Sequence, residues 1–439
     1  MEKLDKKNRL LMGITLFSMF FGAGNLIFPP FVGAMAGKSS LIAGAGFALS
    51  AIGLPILGVA AVTKSGGLEN LASRVHKKFA FVYILILYLS IGPCLAIPRT
   101  ASTSFSMAVV PFVKEVKEGH QLIYSIVFFV VAMLIALKPE KLTEYLGKKL
   151  TPCLLVLIVI IFVGSFLHPA GKLALPTGGY EELPMIKGFL DGYQTMDTLA
   201  ALNFGMIIAM NIREKGIQKE QSIMKETIFA GWIAGIILCI VYGMLLYTGA
   251  ISSETFKGAK DGTEILTALT QFLFGRVGVI ILALVFLIAC LNTCIGLLSC
   301  CGKYFHSIVP KISYRNWVFL FAFVSMIISN IGLTKILELS VPVLNAIYPV
   351  AIVLIILAYI EPFIGRYRAI YPFVVTFCVI SSIIEALEKK NIVIYGITSL
   401  MKQMPFYNAG FGWIIPSIVG VILAILYSEI IKGKVKKIH

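Results

Sequence analysis

Asp197 is the one carboxylate that the hydropathy pattern places near the middle of an apolar run. It stands in GYQTMDTLAAL, where Gln194, Thr195 and Thr198 add further polar atoms. A carboxylate at membrane depth is costly and marks a functional position by default. The bland alternative is a structural pairing with Arg99, which follows Pro98 in GPCLAIPRTASTSF. Arg99 itself can bind a substrate carboxylate, belong to a gate or form a structural ion pair, and a gate or structural role is the favoured reading. Asn292 and Thr293 are adjacent oxygen-bearing residues inside ACLNTCIGLLSC. Hard cations take oxygen ligands, but a threonine in a span can equally bond its own helix.

Other chemistries find little support. The eight cysteines all fall in apolar runs, where a cysteine behaves as a small hydrophobe. Cys290 and Cys294 lie one turn apart, but no histidine cluster accompanies them, and the five histidines are scattered. An integral membrane enzyme acting on lipid would need paired acids, a histidine cluster or a nucleophile motif at the membrane face. None is evident, so no cofactor is expected and the chain is not read as an enzyme.

The elements that must position these residues are membrane spans. Of 439 residues, 58% are hydrophobic and 14% charged, and the mean hydropathy is +0.91. Apolar runs of about 20 residues recur, as spanning helices require. The pattern predicts an all-α polytopic membrane protein of twelve spans, at about 10–37, 40–63, 80–108, 121–137, 151–168 and 186–211, then 223–250, 277–302, 316–333, 337–360, 370–387 and 411–431. The net charge of +16 raises nucleic-acid binding. However, Lys and Arg concentrate in alternate loops rather than on one face, which points to membrane topology with both termini cytoplasmic. The first span is expected to direct insertion without a removable leader. Residues 251–275 and 391–408 are read as outer segments longer than tight turns, the first of them amphipathic.

Two spans cannot run straight. In GITLFSMFFGAGNLIFPPFVGAMAG, Gly22, Gly24 and Asn25 are poor helix formers in succession. Pro29 and Pro30 then remove two backbone donors. Span six is interrupted around Asp197. Broken backbone survives in a bilayer only where it is buried in protein or lines a wet cavity. Breaks at corresponding positions of two five-span repeats, about 10–168 and 186–360, point to a transporter site at the midplane. Two additional helices, about 370–431, complete a single transmembrane domain. Free amides at the breaks suit an anion and free carbonyls a cation.

Four ordered segments, FSMFFGAGNLIFPPFVG, IGPCLAIPRTASTSF, GFLDGYQTMDTLAALNFG and ACLNTCIGLL, closely resemble the branched-chain amino acid carrier family. The resemblance implies a LeuT-like core of ten spans plus two, in a multi-pass protein of the prokaryotic plasma membrane. It implies Na⁺-coupled symport of leucine, isoleucine and valine by alternating access. Carried onto this chain, amides around Gly22, Ala23 and Gly24 would hold the substrate carboxylate. Carbonyls near Phe20 and in the Thr198–Leu199 region would face the amino group, beside Thr195 and Asp197. Na⁺ would lie among carbonyls of Ser18, Phe21 and Ala289 and the side chains of Asn292 and Thr293, with Asn25 serving a second ion or bracing the break. The chain departs from the family pattern at Asn292, where a hydroxyl is usual, and at Ser106, where an acidic residue is usual. H⁺ coupling through Asp197 is the alternative. Expected partners are branched-chain L-amino acids, Na⁺ and membrane lipid, with no nucleic acid.

Overall fold

The computed structural model describes residues 3–436 except 114, 116, 257, 366 and 395. The extreme ends, on which the expected cytoplasmic termini fall, lie outside the described residues. Among the described residues every regular element is helical. The first half contains α1 (Lys6–Phe20), α2 (Ala23–Ala36), α3 (Ser40–Ala48), α4 (Leu54–Lys64) and α5 (Leu68–Ser73). It continues with α6 (Lys77–Leu89), α7 (Ala96–Ala108), α8 (Glu118–Ala136) and α9 (Thr151–Leu167). Then come α10 (Pro184–Gly192), α11 (Asp197–Glu214), α12 (Glu220–Ile251), α13 (Gly262–Ile308) and α14 (Tyr314–Ser329). The chain ends with α15 (Leu333–Ile364), α16 (Ile370–Glu388), α17 (Ile397–Lys402) and α18 (Ile414–Lys436).

Among the described residues, eight helical stretches are long and apolar enough to cross a membrane. They become nine if the pair Pro184–Thr195 and Asp197–Glu214, bent by 45°, counts as one span. Sequence reading separates spans one and two at about residue 38. The structure carries helix almost continuously over the 42 residues Ala23–Lys64. A short 3₁₀ turn at Gly37–Ser39 joins the two pieces, with Gly37 at φ 48°. From Gly262 onward the expected amphipathic outer segment is also helical. It runs into span eight across a kink at Gly275, whose φ of 57° suits glycine. Span three is kinked at Gly92 (ψ −126°) beside Pro93. Pro98, expected to distort the helix too, lies in the first turn of α7, where its missing N–H costs no helical bond.

The chain forms two compact units. One comprises residues 1–60 and 88–338; the other comprises 61–87 and 339–439. In the second unit the Arg74 guanidinium pairs with Glu361 and donates to Tyr371 Oη at 2.9 Å. The first unit holds both interrupted spans. Its outer surface is apolar: Trp232, Ile236 and Ile240, spaced by four on α12, are all exposed. Such a stripe is costly in water and costs nothing against lipid tails.

Inside the first unit, glycine sets how closely helices approach. A Cβ on Gly33 of α2 would lie 2.1 Å from the Leu246 carbonyl oxygen of α12, and one on Gly249 of α12 would lie 1.9 Å from that of Pro30. The crossing of α3 and α10 repeats the pattern. Gly46 would meet the Met185 carbonyl at 1.9 Å, and Gly188 would meet that of Ala43 at 2.0 Å. In each case a glycine meets the carbonyl three residues before the opposing glycine. Backbones in lipid pack this closely only where side chains are absent. The two crossings join span one to span seven and span six to span two, which exchange places under a two-repeat symmetry.

Candidate binding site at the two helix breaks

The first break is confined to Phe21 and Gly22. Phe21 is extended (φ −74°, ψ 94°), and so is Gly22 (φ −127°, ψ −154°). Gly24 and Asn25, expected in the unwound segment, already belong to the first turn of α2. Pro29 and Pro30 stay inside that helix. The physical reason is capping: Asn25 Oδ1 accepts the Gly22 N–H at 3.0 Å, and this side-chain bond starts the helix early. The second break lies between a 3₁₀ turn at Tyr193–Thr195 and α11. Its pivot is Met196, held left-handed at φ 66°.

The breaks enclose one cavity. The first span contributes Met19, Phe20, Gly22, Ala23, Gly24 and Asn25 to its lining. Span three adds Ile91, Ala96, Arg99 and Thr100, and the second break adds Thr195, Met196, Asp197 and Ala200. Span eight closes it with Thr293 and Leu297. The space between these residues, open solvent included, is about 370 Å³.

Polar contacts tie the breaks to one another. Asn25 Nδ2 donates to Asp197 Oδ2 at 2.6 Å and also meets Tyr242 Oη. Tyr242 Oη donates to the same carboxylate oxygen at 2.8 Å. Asp197 is buried at 2% exposure, and these two donors supply the solvation it has lost. On the opposite half of span six, Arg99 Nη1 donates to the Gln194 carbonyl at 3.0 Å, and Thr195 Oγ1 donates to that of Gly192 at 2.9 Å. Side-chain donors thereby reach carbonyls at the interrupted end of the helix. Thr293 Oγ1 donates to the Met19 carbonyl at 3.1 Å, which fastens span eight to the end of α1. Both glycines of GAGN are closely packed, Gly22 too closely for a side chain. A Cβ on Gly22 would sit 2.5 Å from Thr293 Oγ1; one on Gly24 would sit 3.1 Å from Thr195 Cα and from Arg99 Nη2.

Of the residues singled out from sequence, Phe20, Gly22, Ala23, Gly24, Asn25, Thr195, Asp197, Thr293 and Arg99 line this cavity. Thr198 and Leu199 lie beyond it in α11 and are fully buried; Thr198 Oγ1 donates to the Ser50 carbonyl at 3.3 Å. Ser18, Phe21, Ala289 and Asn292 are buried outside the lining. The Phe21 ring stacks on Phe17, with centroids 5.2 Å apart. Ser18 Oγ and both amide atoms of Asn292 are buried without a partner among the described residues. Unpartnered buried oxygens in adjoining segments fit an oxygen-coordinated cation. Sequence reasoning missed Tyr242, which completes the Asp197 network from span seven. Nor did it single out the individual residues of the apolar wall, Ile91, Ala96, Met196, Ala200 and Leu297. Periodicity alone gives no sign that a tyrosine in the apolar run of α12 faces another span.

Residues 5–431 match the branched-chain amino acid transport protein family. The chain belongs to that family. It is 37% identical over 425 residues to the branched-chain amino acid permease BraB of Bacillus subtilis (strain 168), covering 96% of each chain. Its fold is LeuT-like. It is similar to a nucleobase-cation-symport-1 family transporter in a closed conformation with bromovinylhydantoin bound, at TM-score 0.60 and 12% identity, covering 96% of this chain and 92% of that one. It is also similar to a Na⁺-coupled sialic acid symporter in a substrate-bound outward-open state, at TM-score 0.59 and 14% identity, over 95% and 89% of the two chains. Family and fold together make it a multi-pass membrane transport protein.

Proposed function

We propose that the protein takes up leucine, isoleucine and valine across the prokaryotic plasma membrane by alternating access, with Na⁺ as the coupling ion and both termini cytoplasmic. The observation that carries this reading is the cavity between the two breaks. It combines amide-bearing helix starts at α2 and α11, a buried carboxylate and an aliphatic wall. The family supports the substrate class. The wall of Ile91, Ala96, Ala200 and Leu297 suits a branched aliphatic chain. Such a wall discriminates poorly among its ligands, because one methylene is worth only about 1–3 kcal/mol.

The amides of the first turn of α2 have no acceptor within the helix and carry its positive end. They would hold the substrate carboxylate. The substrate amino group would face the end of α1 and Asp197. The unpartnered oxygens of Ser18 and Asn292, with Thr293 next to the Met19 carbonyl, would take Na⁺. Binding energy from both ligands would draw spans one, six and eight together, which links ion entry to substrate entry. In this reading residues 10–168 and 186–360 are the two inverted repeats, and the paired glycine crossings are what their symmetry requires.

The buried Asp197 favours a second reading, in which H⁺ rather than Na⁺ is the coupling ion. Uptake in proteoliposomes under imposed Na⁺ or H⁺ gradients separates the two. The expected result is leucine, isoleucine and valine uptake driven by inward Na⁺ at fixed pH, reduced more than expression is by Thr293→Ala. Uptake that follows the H⁺ gradient alone would assign the coupling to H⁺. A panel in which none of the three amino acids is taken up would refute the substrate class.

A further inference from the structure

Tyr242 stands outside the cavity lining, yet its hydroxyl reaches the carboxylate that belongs to it. The residue is buried in α12, and its ring packs edge-on against Phe47 of α3, with centroids 5.4 Å apart. The Phe21 ring lies on it as well, at 6.4 Å. A ring enclosed in this way makes its hydroxyl a fixed point. That point closes a triangle. Asn25 Nδ2 donates to Asp197 Oδ2 at 2.6 Å and also to Tyr242 Oη, while Tyr242 Oη donates to Asp197 Oδ2 at 2.8 Å. A side-chain amide carries two N–H and a phenol one O–H, so all three hydrogens are spent and Asp197 only accepts. An ionised carboxylate fits that pattern. Arg99, also in the lining, adds an electrostatic attraction to it. Spans one and seven thus grip Asp197 by a single oxygen, Oδ2. The grip opposes rotation about the terminal torsion of the side chain, which has only a broad preference of its own. Asp197 begins α11 and lines the cavity, so residues of two other spans set how its carboxylate faces a ligand.

We propose that Tyr242 is a positioning residue for the amino group of the transported amino acid: its hydroxyl holds the Asp197 carboxylate in the orientation that receives the ammonium. This deepens the functional reading above and rests on it. Tyr242 acts through Asp197 and does not touch the ligand. A charge-assisted hydrogen bond is short and directional, so a carboxylate released at Oδ2 and turned away forfeits it. Selectivity follows from the same geometry. A ligand without an amino group gains nothing from the held carboxylate and loses nothing when the hold is removed, and sites built for a polar partner reject such analogues strongly.

The test is equilibrium binding to purified, detergent-solubilised protein, with L-leucine and 4-methylpentanoate, which is leucine without its amino group, as probes. In the wild type, leucine is expected to bind at least about 100-fold tighter than 4-methylpentanoate. Tyr242→Phe keeps the ring and removes the hydroxyl; leucine is expected to weaken about tenfold while 4-methylpentanoate stays within about twofold of its wild-type affinity. In an Asp197→Asn background, adding Tyr242→Phe is expected to leave the ratio of the two ligands unchanged, because the residue through which Tyr242 acts has lost its charge. A purely structural role would weaken both ligands together, and that result overturns the proposal. So does an effect of Tyr242→Phe on the ratio that persists in Asp197→Asn. Equal binding of the two ligands by the wild type overturns it as well, whether or not any variant folds. A wild type that binds neither leucine, isoleucine nor valine overturns the functional reading beneath it, which is a different outcome.

Discussion

The two breaks solve the same problem with different residues. Span one opens at Gly22 in an extended conformation, and both of its glycines are held by neighbours. Gly22 is pressed against span eight and Gly24 against spans three and six. Span six opens at Met196, an ordinary L-residue in the left-handed region, with no glycine at the pivot. There the polar neighbours sustain the break: Thr195 on Gly192 O, Arg99 on Gln194 O, and Asp197 in the first turn of α11. The first break is thus set by lack of space, the second by hydrogen bonds that outweigh a strained backbone. Asn25 belongs to both, capping α2 and donating to Asp197.

The contrast can be attacked at the residue the breaks share. Asn25→Ala strands the Gly22 N–H and takes a donor from Asp197. Each unmet buried group costs about 1–3 kcal/mol, and displacing a site by about 1 Å can cost on the order of 100-fold in rate. Uptake is expected to fall by about that factor while protein still reaches the membrane. In a double-mutant cycle with Asp197→Asn, melting temperatures should reveal a coupling of about 0.5–3 kcal/mol. Additive effects would mean that the breaks are independent.

A smaller effect is expected where space alone is at stake. Gly22→Ala drives a methyl into Thr293, an overpacking worth about 1–3 kcal/mol. Thr293→Ala removes both the Oγ1 and the γ-methyl that would meet the new Cβ at 2.5 and 3.2 Å. Combined with Gly22→Ala, it should recover part of the lost thermal stability. A Gly22→Ala protein as stable as wild type would remove the steric argument for the first break.

The smallest effect belongs to the second pivot. Met196→Gly relieves a left-handed conformation costing about 1–2 kcal/mol and adds about 0.5–1 kcal/mol of backbone entropy cost. The melting temperature should therefore hold or rise slightly. A drop of many degrees would show that the Met196 side chain, rather than its neighbours' hydrogen bonds, sustains the break.

The same contrast explains what was legible in the sequence. Gly22 and Gly24 announced the first interruption because glycine disfavours helix, whereas Pro29 and Pro30, expected to widen it, lie inside α2. Its limits were less legible. Asn25, a poor helix former, became part of the helix through a side-chain cap that propensity does not include. At the second break Asp197 and its polar neighbours gave the place, but nothing in the residue type of Met196 marks it as the pivot. Thr198 was grouped with the site by adjacency, whereas the helical turn after Asp197 rotates it towards Ser50. Tyr242 and the aliphatic wall needed the packing of separate spans, which no local pattern records. Twelve hydropathy peaks also did not translate into twelve uninterrupted helices, because 3₁₀ and π turns join or divide the runs.

The central claim is that an amino acid is held where the two breaks meet. Saturable L-leucine binding to purified wild type and Gly24→Val tests it most directly, with melting temperature as the fold control. The valine side chain would project from a Cβ 3.1 Å from Thr195 Cα and 3.2 Å from the Gln194 carbonyl, both backbone atoms. The structure predicts saturable binding by the wild type, competed by isoleucine and valine, and loss of that binding in a variant that still unfolds cooperatively. Wild-type affinity for leucine in Gly24→Val would place the substrate elsewhere in the protein.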